Sequence, residues 1–254
     1  MAGEDVIKSA GRVFAVLELF DAERRPLPAS EVERALGFPQ SSTLALLKSM
    51  VALGYLTYDL VGRLYAPTLR LAVLGDWIAK SAMGVHLDDL IQEISEATGE
   101  TVSVCCQNEL RIQFLLVRAG SNPLTLNISP GSHGPLFGSN VGRVALSCKS
   151  DDEIARLAAR INRKPDAHDE RVDLPVAMAE IGRIRKQGYG IGYGAYIPSI
   201  GAISWPLPND GRTGQLVISV AGPVQSVRRA ETSIIKAVTN ILGQHAQLPQ
   251  GIPA

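Results

Sequence analysis

Cysteine is scarce in this chain. There are three in 254 residues, Cys105, Cys106 and Cys148, and none stands at a disulfide-framework or metal-ligand spacing. The adjacent pair would point to opposite faces of a strand, which suits buried thiols in a reducing compartment. The four histidines, His86, His133, His168 and His245, are equally scattered, so no metal site is expected. Net charge is missing as well: 25 Lys and Arg balance 25 Asp and Glu, which gives no general pull toward a polyanion. No run of about 18 apolar residues occurs that would cross a membrane. The start, MAGEDVIKSAGR, lacks the apolar core of a signal peptide, so a soluble, cytoplasmic protein is expected. Catalytic fingerprints are lacking too. There is no G-x-S-x-G, and nothing near Ser139 or Cys148 in sequence would activate either as a nucleophile. The glycine-rich run 188–194 precedes a strand pattern rather than a helix, so it is no dinucleotide fingerprint. Neither a cofactor nor an enzyme is expected.

What is present is organised helix and strand. The chain is long enough for one large domain or two, with ordinary hydrophobic (46%) and charged (20%) shares. SAGRVFAVLELF places Val13, Val16, Leu17 and Phe20 at helical spacing, with Ser9 as its N-cap. After the proline-bearing RRPLPA, Ser30 and Glu33 have the spacing of a capping box, and Gly37 ends a short helix. Pro39 opens the next, striped by Leu46, Leu47, Met50 and Leu53 and stopped at Gly54. YLTYD and RLYAP read as a hairpin. Three helices and a hairpin within about 60 residues form the pattern of a winged helix-turn-helix.

In such a unit the second helix of the motif enters the major groove of double-stranded DNA with its first turn. Here that turn is QSS. Gln40 suits adenine, and the short hydroxyls of Ser41 and Ser42 permit close approach to base edges or phosphates. Lys48 lies on the same expected outward surface, and Arg12 and Arg63 are placed to meet phosphates or the minor groove. A purely structural reading, in which Ser41 only caps the helix, stands beside this one. Residues 1–75 carry eight basic and eight acidic side chains, so non-specific affinity should be modest and strongly salt-limited.

Residues 69–98 are helical in pattern, with an interruption near Gly84. Strands are expected at TVSVCCQ, RIQFLLVRA, LTLNIS, AISWPLP and GQLVISVAG, with the last two joined around NDGR. Helices are expected from Ser139, at about 151–162, 175–187 and 226–246. This is an α+β sheet domain. A candidate ligand site follows from the loop PGSHGPLFGS, which delivers the chain to a helix N-terminus able to receive an anionic group at Ser139 and Asn140. Ala202, Ser204 and Ser219 alternate onto one strand face, Asn127 is a polar break in LTLNIS, and Phe137 and Tyr193 are placed to close the site. Ser139 acting only as a cap, and the glycine run 188–194 as a plain edge loop, are the structural alternatives.

Taken in order, SAGRVFAVLELF, GFPQSSTLALLKSMVALGYL, YLTYDLVGRLYAPTLRLAVLG, EISEATGETVSV, PGSHGPLFGSNVGRVALS, the GYGI stretch and QLVISVAGP resemble the IclR (isocitrate lyase regulator) family of transcription regulators over almost the whole chain. The resemblance implies a winged helix-turn-helix over 1–68, a linker helix over 69–83, and a GAF-like effector-binding and oligomerisation domain over 84–254. It implies homodimers or homotetramers on palindromic operators. The apolar positions Leu69, Leu71, Val73, Leu74 and Ile78 also give a lone linker helix surface to cover. Where the family often has Arg this chain has Ala45, and where it often has His this chain has Phe137. Gly192 and Ala202 replace positions often seen as Asp and Cys. A less polar pocket is therefore expected, suited to a small, aromatic or weakly polar organic acid. A ligand-responsive transcription regulator answering such an effector is the leading expectation, with repressor or activator left open. A sensing or interaction module without sequence-specific DNA binding is the alternative, and an enzyme the more remote one.

Overall fold

The computed structural model describes residues 7–74, 87–163, 171–209 and 214–246. Contacts divide the chain into two units, 1–78 and 79–254.

In the first unit, α1 (Lys8–Glu23), α2 (Ala29–Leu36) and α3 (Gln40–Ala52) pack with strands β1 (Leu27–Pro28), β2 (Leu56–Asp59) and β3 (Leu64–Pro67). Val16 and Phe20 of α1, Val32 of α2, Leu47 and Met50 of α3, Leu56 and Tyr65 form the core. The strands pair antiparallel in the order β1-β3-β2, which makes the hairpin a wing. Two expected caps do not form. Helix α1 starts at Lys8 behind Ile7, so Ser9 lies inside it, and Ser30 lies inside α2, which starts directly after Pro28 without a side-chain cap. Leu27 and Pro28 are paired to Tyr65 and Leu64, so the chain leaves a strand and enters the helix with no residue between. Gly37 ends α2 in the left-handed region, φ 65°, where glycine carries no steric penalty. Leu53, expected in the apolar stripe of α3, is exposed.

Residues 70–74 are helical; the rest of the expected linker helix lies outside the described residues.

In the second unit, α4 (Leu87–Thr98) leads to β4 (Thr101–Asn108), β5 (Arg111–Arg118) and β6 (His133–Pro135). Helices α5 (Asn140–Ser147), α6 (Asp151–Arg163) and α7 (Leu174–Gln187) follow, then β7 (Gly190–Tyr193), β8 (Ile200–Pro206), β9 (Leu216–Pro223) and α8 (Val224–Ala246). The six strands form one antiparallel sheet in the order β6-β5-β4-β9-β8-β7. One face packs on Leu90, Ile91 and Ile94 of α4 and Val227, Ile234 and Val238 of α8. The other packs on α5, α6 and α7 through Val144, Ile154 and Ile181. Strand β9 shows the alternation: Val217 joins the second cluster, Ile218 and Val220 the first.

LTLNIS is not a strand, and the loop after it contains one. β6 occupies the edge of β5, leaving residues 124–129 no ladder to join. Leu126 instead bonds through both its N–H and its C=O to the Thr101 hydroxyl. A true capping box forms at Ser150 and Glu153, whose side chains each take the other's backbone N–H at 3.3 and 3.1 Å; the Ser150 N–H and the Ser150 hydroxyl, which donates at 3.0 Å, together with Lys149 hold the Glu153 carboxyl below its ordinary value. Of the expected NDGR turn only Asn209 is described. Among the described residues no helix is long and apolar enough to cross a membrane.

Candidate functional site

The outward face of α3 follows its helical period: Gln40, Ser41, Ala45, Lys48, Ser49 and Ala52 are exposed, while Thr43, Leu47 and Met50 are buried. The three consecutive hydroxyls therefore have three situations. Thr43 is 1% exposed and donates to the Pro39 carbonyl at 3.1 Å. Ser42 is half-buried and donates to the same carbonyl at 2.9 Å. Ser41 faces outward. Ser49 donates to the Ala45 carbonyl at 2.8 Å, so Ser42 and Ser49 keep only acceptor capacity toward any partner.

Electrostatics separate this face from the rest of a charge-balanced unit. Helix α3 carries Lys48 and no carboxylate. Elsewhere in the unit Arg24 is paired with Asp21, and Arg25 with Glu23 and Glu31. The Arg12 guanidinium sits 4.9 Å from the centre of the Phe38 ring, which holds it beside the turn that starts α3. Arg63 lies at the wing tip with φ 54°, next to Leu60 and Val61, which are 82% and 94% exposed. Asp59 stiffens that tip by accepting from the Val61 and Gly62 amides at 3.1 and 3.0 Å. These two apolar tip residues had no sequence signal beyond their place in the hairpin turn.

In the second unit the sheet brings Asn140, Ser204 and Ser219 together. The Asn140 amide donates to the Ser204 hydroxyl at 2.9 Å and to the Gly190 and Ala202 carbonyls at 3.1 and 3.2 Å. Ser204 in turn donates to Ser219 at 2.8 Å. All three side chains are buried, so this row satisfies itself. Ser139 caps α5, accepting from the Gly142 amide at 3.1 Å and donating to the Pro135 carbonyl. Ala202 is half-buried beside this row, and Asn127 is exposed on the loop 124–129, away from the ladder.

Tyr193 requires a correction. Expected to close this site, it lies on the other face of the sheet. Its hydroxyl donates to Glu231 of α8 and its ring receives the Arg228 guanidinium at 4.6 Å. Burial and the Glu231 carboxylate raise its phenol to about 12, so it remains a neutral donor. The strand period dictates this placement. A Cβ on Gly190 would come within 2.7 Å of Asn140, and one on Gly192 within 2.8 Å. Those glycines face α5, so Tyr193 faces away.

A cleft of about 350 Å³ opens beside α5. Phe137, Val176 and Tyr196 supply apolar wall, Arg143 and Arg171 supply cations, and Glu180 and Asp173 complete the rim. Arg143 is the one charged residue in α5, a signal the sequence offered. Its Nε donates to the Phe137 carbonyl at 2.8 Å, and its Nη1 pairs with Glu180 at 2.9 Å. Glu180 also faces Arg183 at 3.8 Å, so one carboxylate is shared by two guanidiniums. Asp173 caps α7, accepting from the Val176 amide at 3.1 Å, where the helix dipole offsets its charge. Of the residues expected to bind a ligand, Phe137 lines this cleft; arginine, not bare amide groups, carries the positive charge there.

Burial raises the Cys105 thiol to about 12, and among the described residues no group of three or more His, Cys, Asp or Glu gathers as a metal site.

Comparison with known proteins matches both units in order. Residues 9–60 match the IclR helix-turn-helix domain, and residues 81–247 match the Bacterial transcriptional regulator IclR C-terminal family. The chain is 25% identical over 199 residues to the HTH-type transcriptional regulator KdgR of Escherichia coli K12, spanning 75% of this chain and 74% of that one. It is 21% identical over 225 residues to the HTH-type transcriptional repressor AllR of Salmonella typhi, spanning 84% and 78%. The fold superposes with a TM-score of 0.61 on an IclR homolog from Microbacterium hydrocarbonoxydans that was solved complexed with 4-hydroxybenzoate; identity is 18%, spanning 94% of this chain and 99% of that one. A winged helix ahead of a sheet domain, each matched to its own half of one family, makes this chain a member of the IclR family of ligand-responsive, DNA-binding transcription regulators.

Proposed function

We propose that this regulator is a cytoplasmic repressor that reads a palindromic operator through α3, as a homodimer or homotetramer. Gln40, Ser41 and Ser42 meet base edges, Lys48 meets phosphate or guanine, and Arg12 and Arg63 hold the flanking backbone. The observation carrying this reading is the carboxylate-free outward face of α3 in a unit whose charges otherwise balance. Such a face lets the DNA phosphates approach without like-charge repulsion. The repressor name of the Salmonella typhi relative supports the sign of regulation.

The effector in this reading is a small, weakly polar organic acid with an aromatic ring. Its ring lies in the cleft against Phe137 and Tyr196, and its acid group meets Arg143 and Arg171. The 4-hydroxybenzoate in the Microbacterium homolog supports the ligand class, and the cleft volume suits a single-ring molecule. Asn140, Ser204 and Ser219 tie α5 to the sheet below, with Ser139 capping it and Ala202 beside the row. A thermal-shift series on the full chain tests this. A ligand at a hundred times its dissociation constant adds about 2.7 kcal/mol of apparent stability. Benzoates, starting with 4-hydroxybenzoate, are expected to raise the melting temperature, and their neutral amides much less, because the charge-assisted bonds are lost. No shift with any aromatic acid contradicts the effector assignment and leaves the DNA assignment standing.

A further inference from the structure

The polar groups on the outward face of α3 are fewer than the sequence suggests. Ser42 and Ser49 have given their hydroxyl hydrogens to the Pro39 and Ala45 carbonyls, and Thr43 is buried. Around the helix, Ser41 and Lys48 flank Ala45 at one turn before and one turn after, so the middle of the outward face is the Ala45 methyl group. A methyl group has no hydrogen bond to offer and loses free energy if it stays against water. In the major groove its complement is the C5-methyl of thymine, the one apolar group that any base edge presents there.

We propose that Ala45 is a specificity-determining residue that reads a thymine methyl in the operator, between contacts made by Ser41 and Lys48. The inference rests on α3 being the DNA-reading helix. It also bears on the short side chains of the face: Ser41, Ala45, Ser49 and Ala52 let the helix backbone approach the groove floor, so a methyl reaches a base edge that a longer side chain would hold off. Gln40, at the start of the same helix, suits adenine through a bidentate pair. The preferred half-site therefore contains A·T pairs at both positions.

The test separates the two methyl groups. Full-length protein first selects its preferred sequence from random double-stranded DNA. Each thymine of the selected site is then replaced by deoxyuridine, which lacks only the C5-methyl. One thymine position per half-site is expected to lose about fourfold in affinity, the value of one buried methyl-sized group. In Ala45→Gly the thymine-to-uracil ratio at that position falls to about one, while ratios elsewhere stay as in the wild type. Ala45→Ser gives the same loss of discrimination and guards against a helix weakened by glycine. Because the ratio compares two DNAs on one protein, a partly unfolded variant does not distort it. An unchanged ratio in both variants, or a site in which no thymine methyl matters, overturns the inference. If Lys48→Ala also leaves affinity untouched, or if selection enriches no sequence at low salt, α3 is not the reading helix and the parent reading falls with it. If Lys48→Ala weakens binding while uracil does nothing, Ala45 alone is misassigned.

Discussion

At the scale of single residues, the run Ser41, Ser42, Thr43 shows how little a residue type says until its direction is known. Thr43 serves the core, Ser42 the helix backbone, and Ser41 the outside. Lys48 is the charge on this face, and it is exposed. Lys48→Ala is therefore expected to weaken binding nearly uniformly across DNA sequences and to reduce the slope of log affinity against log salt by about one. Fluorescence titrations at several salt concentrations measure this, and an unchanged slope removes Lys48 from the phosphate contacts. Arg143 illustrates the converse. It is one charge among the small and apolar residues of α5, and its two bonds, to Phe137 and Glu180, fix a guanidinium at the wall of the cleft.

At the scale of elements, the seating of α5 against the segment that leads into it from β6 depends on a glycine. A Cβ on Gly142 would lie 2.0 Å from the Leu136 carbonyl oxygen, which is backbone and cannot swing aside, whereas one on Gly182 in α7 would meet nothing within 4 Å. Gly142→Ala is expected to destabilise the full chain by about 3 kcal/mol or more, through forced displacement of α5. Gly182→Ala is expected to stabilise it by about 0.5–1 kcal/mol, since alanine is the better helix residue. Urea unfolding of both variants checks the contrast, and equal effects would mean that α5 does not seat as described. The same scale decides what was legible in the sequence. The winged helix was readable because its periodicities and its Gly37 stop are local. The capping box at Ser30 was misread because pairing of Leu27 and Pro28 with β3 fixes where α2 begins. LTLNIS was misread because the segment a few residues after it, His133–Pro135, takes the edge it would have used, a choice between neighbouring stretches that their composition does not decide. The cleft was mostly illegible, since Phe137 and Arg143, Val176, and Tyr196 come from three separate stretches. Tyr193 could have been placed correctly from Gly190 and Gly192, whose alternation puts the tyrosine on the opposite face.

At the scale of the whole molecule, regulation requires that effector and DNA favour different arrangements of the protein. Any change the effector makes in operator affinity must then reappear, by the same factor, as a change the operator makes in effector affinity. A helix-turn-helix dimer also places its two reading helices one DNA turn apart. Both statements stand or fall with sequence-specific binding through α3, and one measurement addresses that directly. Purified full-length protein is footprinted at low salt on the duplex upstream of its own gene, beside the Lys48→Ala variant. Two protected half-sites centred about 34–36 Å apart, or a multiple of that, with weaker protection in the variant, is the predicted result. No protection, or protection that is uniform along the duplex and identical in the variant, contradicts it.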